Sequence, residues 1–380
     1  MDFTYSEEQE LLRQTVRDFA EKELSKDAQQ RDAEEKFPKE HVKKMGELGF
    51  MGLQVDPSWG GGGMDTVAYS ILIEELSRVD ASLGVIASVN NSLVCYGLEK
   101  YGTDAQKEKY LKPLAQGMKL GAYCLSEPGT GSDASALQST CSKDGDDWII
   151  NGTKNFITNG TQANVYIVFA TEDKSAGYGG VRCLIVERDT PGFIIGRKEK
   201  KLGIRSSDTC SLIFENCRVP LTNTLGDPEK GFSIAMSILN KGRIGIASQA
   251  LGIAVGAFDA ARDYAKERVQ FGKPIARQQA VQFMLAEMDV RIHAARYLIY
   301  DAANRKDRGL DFTAASARAK LFAAETAMYC ADKAVQIHGG YGYIKDYPVE
   351  RFLRDAKITE IYEGTSEIQK IVISRNALKS

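Results

Sequence analysis

The sequence predicts a mainly α protein with a β domain set in its middle. Three observations carry this. Apolar residues recur at helical spacing through residues 1–120. Short apolar runs punctuated by Gly and Pro replace that period over 121–230. Over 231–380 the helical period returns in long stretches. The expected organisation is an N-terminal helical domain (1–120), a central β domain (121–230) that is a barrel or sandwich, and a C-terminal helix bundle (231–380).

The first helix starts at Ser6, where Ser6 and Gln9 form an S-x-x-Q capping box, and Leu11, Leu12, Val16, Phe19, Ala20 and Leu24 follow at helical spacing. A second helix is expected from His41 to Leu48. Pro57 and the run Gly60 to Gly63 mark a loop. That run follows no clear strand and has no lysine, so it is not a P-loop. Thr66 to Leu83 is apolar nearly all round, as in a buried helix, and Asp104 to Gly117 reads as amphipathic.

In the middle, Gly121 to Ser126, Val165 to Ala170, Val181 to Val186, Phe193 to Ile195 and Ser211 to Phe214 read as strands. Trp148 to Lys154 contains Asn151-Gly152, a turn signal. Beyond it, Phe232 to Lys266, Gln278 to Lys306, Thr313 to His338 and Ser366 to Leu378 give four helices, the first stopped by Gly272 and Pro274.

Composition excludes several classes. A net charge of −2 gives no field to gather nucleic acid or an anionic membrane. No apolar stretch reads as long and charge-free enough to span a bilayer. The acidic start, Met1 to Glu8, lacks a basic n-region and apolar h-region, so the simplest expectation is a cytoplasmic protein. Seven scattered cysteines without a C-x-x-C pair argue against disulfides and zinc, and three distant histidines argue against a metal cluster or a Ser-His-Asp triad.

The candidate site is Ile361-Tyr362-Glu363-Gly364-Thr365-Ser366-Glu367-Ile368-Gln369. Ser366 with Gln369 fits a capping box, with Ile368, Ile371 and Val372 on one face of the helix it opens. Glu363 then lies on the turn before a helix whose free N–H groups favour anions. The residues alone favour a plainer reading, a charged turn feeding a terminal helix.

Seven segments, in order, resemble the acyl-CoA dehydrogenase family over essentially the whole chain, most closely its short-chain (butyryl-CoA) branch. They are Tyr123 to Asp133, Phe156 to Asn159, Lys201 to Arg205, Gly242 to Ala247, Arg268 to Gly272, Gln336 to Gly342 and Ile361 to Gln369. The resemblance implies a helical N-terminal domain, a β barrel and a four-helix bundle. It also implies FAD, an acyl-CoA substrate, an electron-transferring flavoprotein as partner and a homotetramer built as a dimer of dimers.

By that resemblance Glu363 is the base that takes the weakly acidic α-proton, and flavin N5 accepts the β-hydrogen as hydride. Burial beside Tyr362 and an acyl chain would raise its pKa towards working pH. The Glu363 backbone N–H and the flavin ribityl hydroxyl would polarise the thioester carbonyl. A second branch of the family places its base one residue before the arginine of Gly242-Arg243. Here that position is Gly242, which cannot serve. Glu360 and Glu367 are the nearest other carboxylates.

The resemblance assigns FAD contacts to Tyr123, Leu125, Ser126, Gly131, Ser132, Phe156, Ile157 and Thr158. Many relatives carry Trp where Phe156 stands, so the indole N–H is lost and the stacking surface kept. Arg268, Phe271, Gln279, Gln336, Ile337, Gly339 and Gly340 match residues that reach FAD, Arg268 and Phe271 that of a neighbouring subunit, with arginine suited to a diphosphate. Thr365, Ser366 and Glu367 match further FAD contacts. Ser132, Asn240, Arg243 and Gly364 match substrate contacts, although close relatives commonly carry Asp where Asn240 stands. Other readings keep the fold but act on a branched or cyclic acyl-CoA, run as an enoyl-CoA reductase, or use oxygen directly. A non-catalytic acyl-CoA-binding scaffold is the reading of a different class.

Overall fold

The computed structural model describes residues 4–379; Met1 to Phe3 of the acidic start lie outside them. Helices form where the apolar period runs. Glu7–Phe19 opens on the expected capping box, with Ser6 Oγ accepting from the Gln9 amide at 3.2 Å and Gln9 Oε1 from the Ser6 amide at 3.1 Å. Lys39–Glu47 follows. The buried helix expected over Thr66 to Leu83 is two, Thr66–Val79 and Ala81–Ser88. Asp80 breaks it: its extended backbone ends one helix and its carboxylate caps the next through the Ser82 amide, while it also pairs with Arg31 at 2.7 Å.

The middle of the chain is one curled sheet of seven strands. Val165–Thr171 is its centre, parallel to Gly121–Cys124 and antiparallel to Val181–Glu187. Every residue of that strand is buried. Val165, Ile167 and Phe169 pack with the helices, and Tyr166, Val168 and Ala170 pack inside the curl, so it reads as an unbroken apolar run.

Two strand expectations need correction. Asn151-Gly152 is not a hairpin turn: Asp147–Thr158 runs straight through it with a register shift at Gly152, whose added Cβ would lie 2.7 Å from Ser139 Cα. The hairpin is made instead by Gly145, at φ 60, between Thr140–Asp144 and Asp147–Thr158. Thr140–Asp144 is a strand the sequence reading lacks, because four of its five residues are polar or charged and three are exposed.

Among the described residues five α-helices, not four, follow residue 230: Gly231–Glu267, Gln279–Asp307, Thr313–His338, Val349–Ile358 and Ser366–Ala377. The short, highly amphipathic Val349–Ile358 was not expected. Gly231–Glu267 ends at Arg268, before the predicted stop. Phe271 and Gly272, both at positive φ, then turn a small hairpin between Val269–Gln270 and Lys273–Pro274. Two helices are long and apolar enough to cross a membrane by length and composition, against the expectation of none. They are Ala81–Tyr101 and Pro228–Glu267, whose most apolar windows are 94% and 78% buried inside the fold.

Candidate active site

Glu363 sits on a turn between Val349–Ile358 and Ser366–Ala377. Its φ is +51, a left-handed conformation that a side chain resists, and Gly364 follows at +93. The carboxylate enters a cavity of about 190 Å³ walled by Val89, Leu93, Tyr123, Leu125, Met236 and Leu239. Its Oε2 is buried without a hydrogen-bond partner. Burial pushes its pKa up to about 8, against the opposing pull of Lys320 and Arg243.

The neighbouring carboxylates are different. Glu360 pairs with half-exposed Lys357 at 2.6 Å. Glu367 is exposed, and hydrogen bonds from its own amide and from Thr365 hold its pKa below the usual range. Gly242 lies directly behind the site: a Cβ added there would stand 2.1 Å from Glu363 Oε2 and 2.6 Å from Leu93 Cδ2. The rival base position is thus not merely empty. It is the space that the Glu363 carboxyl group occupies.

The same cavity is lined by Ser126, Gly131, Ser132, Phe156, Ile157, Thr158, Arg243 and Gly364. A groove of about 720 Å³ continues from it past Gly129, Thr130, Lys200, Lys201, Arg354 and Thr365. Phe156 stands at its wall, 64% exposed and at φ +58. Thr130 Oγ1 is buried there without a partner, as is Ser366 Oγ next along the chain from Thr365, and a Cβ added to Gly129 or Gly131 would meet nothing within 4 Å. Free polar atoms, an offered aromatic face and open glycine backbone fit a flat cofactor with a polar edge. A buried ion pair, Lys154 Nζ to Glu127 Oε1 at 2.6 Å, anchors this loop to the sheet.

The helix start is capped by Thr365, whose Oγ1 accepts from the Ile368 amide at 3.3 Å, and not by the expected Ser366–Gln369 box. The Ser366 amide is taken by Glu360 O, so fewer amides are free for an anion than expected. Gln369 is buried and donates back to the Gly364 carbonyl at 2.8 Å, whereas Ile371 on the supposed apolar face is 42% exposed.

The other expected contacts lie elsewhere. Arg268, Ile337, Gly339 and Gly340 line a separate groove with Tyr264 and Tyr341, Arg268 stacking over the Tyr341 ring at 5.6 Å. Phe271 is 93% exposed, Gln279 opens its helix and Gln336 sits in the last turn of Thr313–His338. Asn240 accepts from Arg243 at 2.8 Å and lies outside the cavity wall. Sequence reasoning missed Lys320, which grips the turn together with Gln369, and Gln249, which accepts a hydrogen bond from the Tyr362 hydroxyl; it gave Gln369 a capping role in place of this grip. Lys320 had one available signal: it falls in step with Ser316, Ala317, Ala323, Ala324 and Ala327 on the buried face of its helix.

Comparison with known proteins gives the class. The N-terminal, middle and C-terminal domain models of acyl-CoA dehydrogenase match residues 6–118, 122–217 and 229–378. The short-chain specific acyl-CoA dehydrogenase of Clostridium acetobutylicum is 53% identical over 98% of this chain and 99% of its own. The acryloyl-CoA reductase (NADH) of Anaerotignum propionicum is 47% identical over 100% and 96%. The structure of butyryl-CoA dehydrogenase from Megasphaera elsdenii matches with a TM-score of 0.98 at 46% identity, covering 100% of both chains. A chain of the structure described as the electron transferring flavoprotein of Acidaminococcus fermentans matches with a TM-score of 0.99 at 48% identity, again covering 100% of both. The chain belongs to the acyl-CoA dehydrogenase family, FAD-dependent oxidoreductases that act on the CH–CH bond of acyl-CoA.

Proposed function

We propose that this protein dehydrogenates short-chain, butyryl-CoA-like thioesters to trans-2-enoyl-CoA, with Glu363 as the base. The observation that carries the reading is a carboxylate raised to about pKa 8, with an unpartnered Oε2, on the wall of a small apolar cavity. The Cα–H proton passes to Glu363 Oε2, and the electron pair left behind moves towards the thioester oxygen. The Glu363 amide, which makes no hydrogen bond among the described residues, is placed to donate to that oxygen. Bound FAD supplies the acceptor for the β-hydrogen and its electron pair. Ser126, Gly131, Phe156, Ile157, Thr158, Thr365 and Ser366 would hold it, with Tyr123 and Leu125 packed behind. Ser132, Arg243 and Gly364 would meet the substrate.

The same proposal gives the groove around Arg268, with Phe271, Gln279 and Gln336, to the FAD of a neighbouring copy in a homotetramer. It assigns an electron-transferring flavoprotein as acceptor, which the Acidaminococcus match supports. Cytoplasmic residence belongs to it too, and cell fractionation tests that part. A second reading, reduction of a short enoyl-CoA, is favoured by the Anaerotignum relative. Purified protein loaded with FAD decides between them. Anaerobic butyryl-CoA is expected to bleach the flavin. Oxidation of NADH that depends on acryloyl-CoA, without bleaching by butyryl-CoA, would establish the reductase instead.

A further inference from the structure

We propose that Lys320 is a positioning residue for Glu363: it holds the Glu363–Gly364 turn in its left-handed form and supplies a buried positive charge opposite the base. The inference rests on the reading of Glu363 as the base. Lys320 has no exposed surface and lies among alanines on Thr313–His338. Its Nζ donates to the Gly364 carbonyl at 2.7 Å, and Gln369 Nε2 donates to the same oxygen at 2.8 Å. A non-glycine residue at positive φ, such as Glu363, persists only where the surroundings dictate it. Here one carbonyl is gripped from two helices, which fixes the direction of the Glu363 side chain and amide.

The choice of lysine has a second consequence. Its ammonium sits on the carbonyl and makes no ion pair with Glu363, so the carboxylate oxygen stays free for a substrate proton. The charge still acts on Glu363, through a buried setting that screens it little. Burial lowers the Lys320 pKa to about 8, Glu363 raises it, and Arg243 on Gly231–Glu267 lowers it further. Glu360 and Glu367 also face it, but one is paired with Lys357 and the other exposed. Tyr69, Tyr123 and Tyr362 are held above the ordinary phenol range, mainly by burial with the Glu363 charge adding to it, and stay neutral. Lys320 and Arg243 are therefore the cations that favour ionised Glu363.

The test measures flavin reduction by butyryl-CoA under anaerobic conditions, as a function of pH, in FAD-loaded wild type, Lys320→Met, Lys320→Gln and Lys320→Arg. Removing the cation is expected to move the midpoint of the rising limb to higher pH by about one unit or more in Lys320→Met and Lys320→Gln. Lys320→Arg is expected to keep the wild-type midpoint. Lys320→Gln retains a donor for Gly364, so it decides the matter if Lys320→Met fails to fold or to keep FAD. Unshifted midpoints in both neutral variants would overturn the proposal, leaving Lys320 a structural residue. Glu363→Gln, run beside them, keeps the two readings apart: a wild-type rate in that variant defeats the base assignment whatever Lys320 does.

Discussion

At the scale of single residues the site depends on where one carboxyl group can stand. The pKa of Glu363 is raised from 4.5 to about 8, so the folded protein holds a proton that the unfolded chain releases between those values. Stability at this position is therefore full below about pH 4.5 and is lost as pH rises towards 8. Glu363→Gln removes the penalty. Its melting temperature is expected to equal wild type near pH 4.5 and exceed it near pH 8, while flavin reduction by butyryl-CoA falls by about 10²–10⁴, the range of a lost general base. A thermal melt series across pH checks the first half and stopped-flow spectroscopy the second. Gly242 sets a separate condition. A methyl group there must displace both Glu363 Oε2 and Leu93 Cδ2, the ends of side chains, so Gly242→Ala is expected to fold yet reduce flavin at least tenfold more slowly, roughly a 1.4 kcal/mol misplacement. Retention of the wild-type rate would mean that the carboxyl group reacts from another position.

At the scale of elements, the loop of Glu127 to Ser132, proposed to face the flavin, owes its place to a pair that no sequence spacing reveals. Lys154 on Asp147–Thr158 and Glu127 after Gly121–Cys124 are essentially unexposed, and Glu127 also accepts from the Gln138 and Ser139 amides. Burial pushes the Glu127 pKa up, but Lys154 and these donors bring it below the ordinary value. Lys154→Met strands a buried charge and is expected to cost about 3–5 kcal/mol, read by chemical denaturation, with weakened FAD retention. This also marks the limit of what the sequence could say. Long helices, the apolar strand Val165–Thr171 and the family segments were legible because each is a local pattern. Thr140–Asp144 was not, since its polar residues take strand form only by pairing with Asp147–Thr158. Thr365 rather than Ser366 became the cap because Gln369 turned inward to hold Gly364, a tertiary choice that the S-x-x-Q pattern cannot contain. Lys320 meets Gly364 from 44 residues away, beyond any motif.

At the scale of the molecule, the cavity beside Glu363 is a junction of all three parts of the chain. Val89 and Leu93 come from the first, Tyr123 and Leu125 from the second, and Met236, Leu239 and Tyr362 from the third. Outside it, Arg354 binds Asp32 at 2.7 Å and Asp355 accepts from the Ile204 amide at 2.5 Å, fastening the same three parts together. The Tyr362 ring forms one wall, and its hydroxyl is tied to Gln249 on Gly231–Glu267, so that wall is held by packing and by a hydrogen bond. A cavity so bounded predicts a chain-length profile. Each methylene that fits contributes about 0.8 kcal/mol, roughly fourfold in kcat/KM, so activity should rise from propionyl-CoA to butyryl-CoA. Longer chains must push a packed core apart, at about 1–3 kcal/mol, so activity should fall by roughly tenfold or more once the tail has filled the cavity. Steady-state rates on straight-chain thioesters of about three to twelve carbons measure this directly. A profile that keeps climbing past about eight carbons would show that the junction opens, and would move the substrate from short to medium chains.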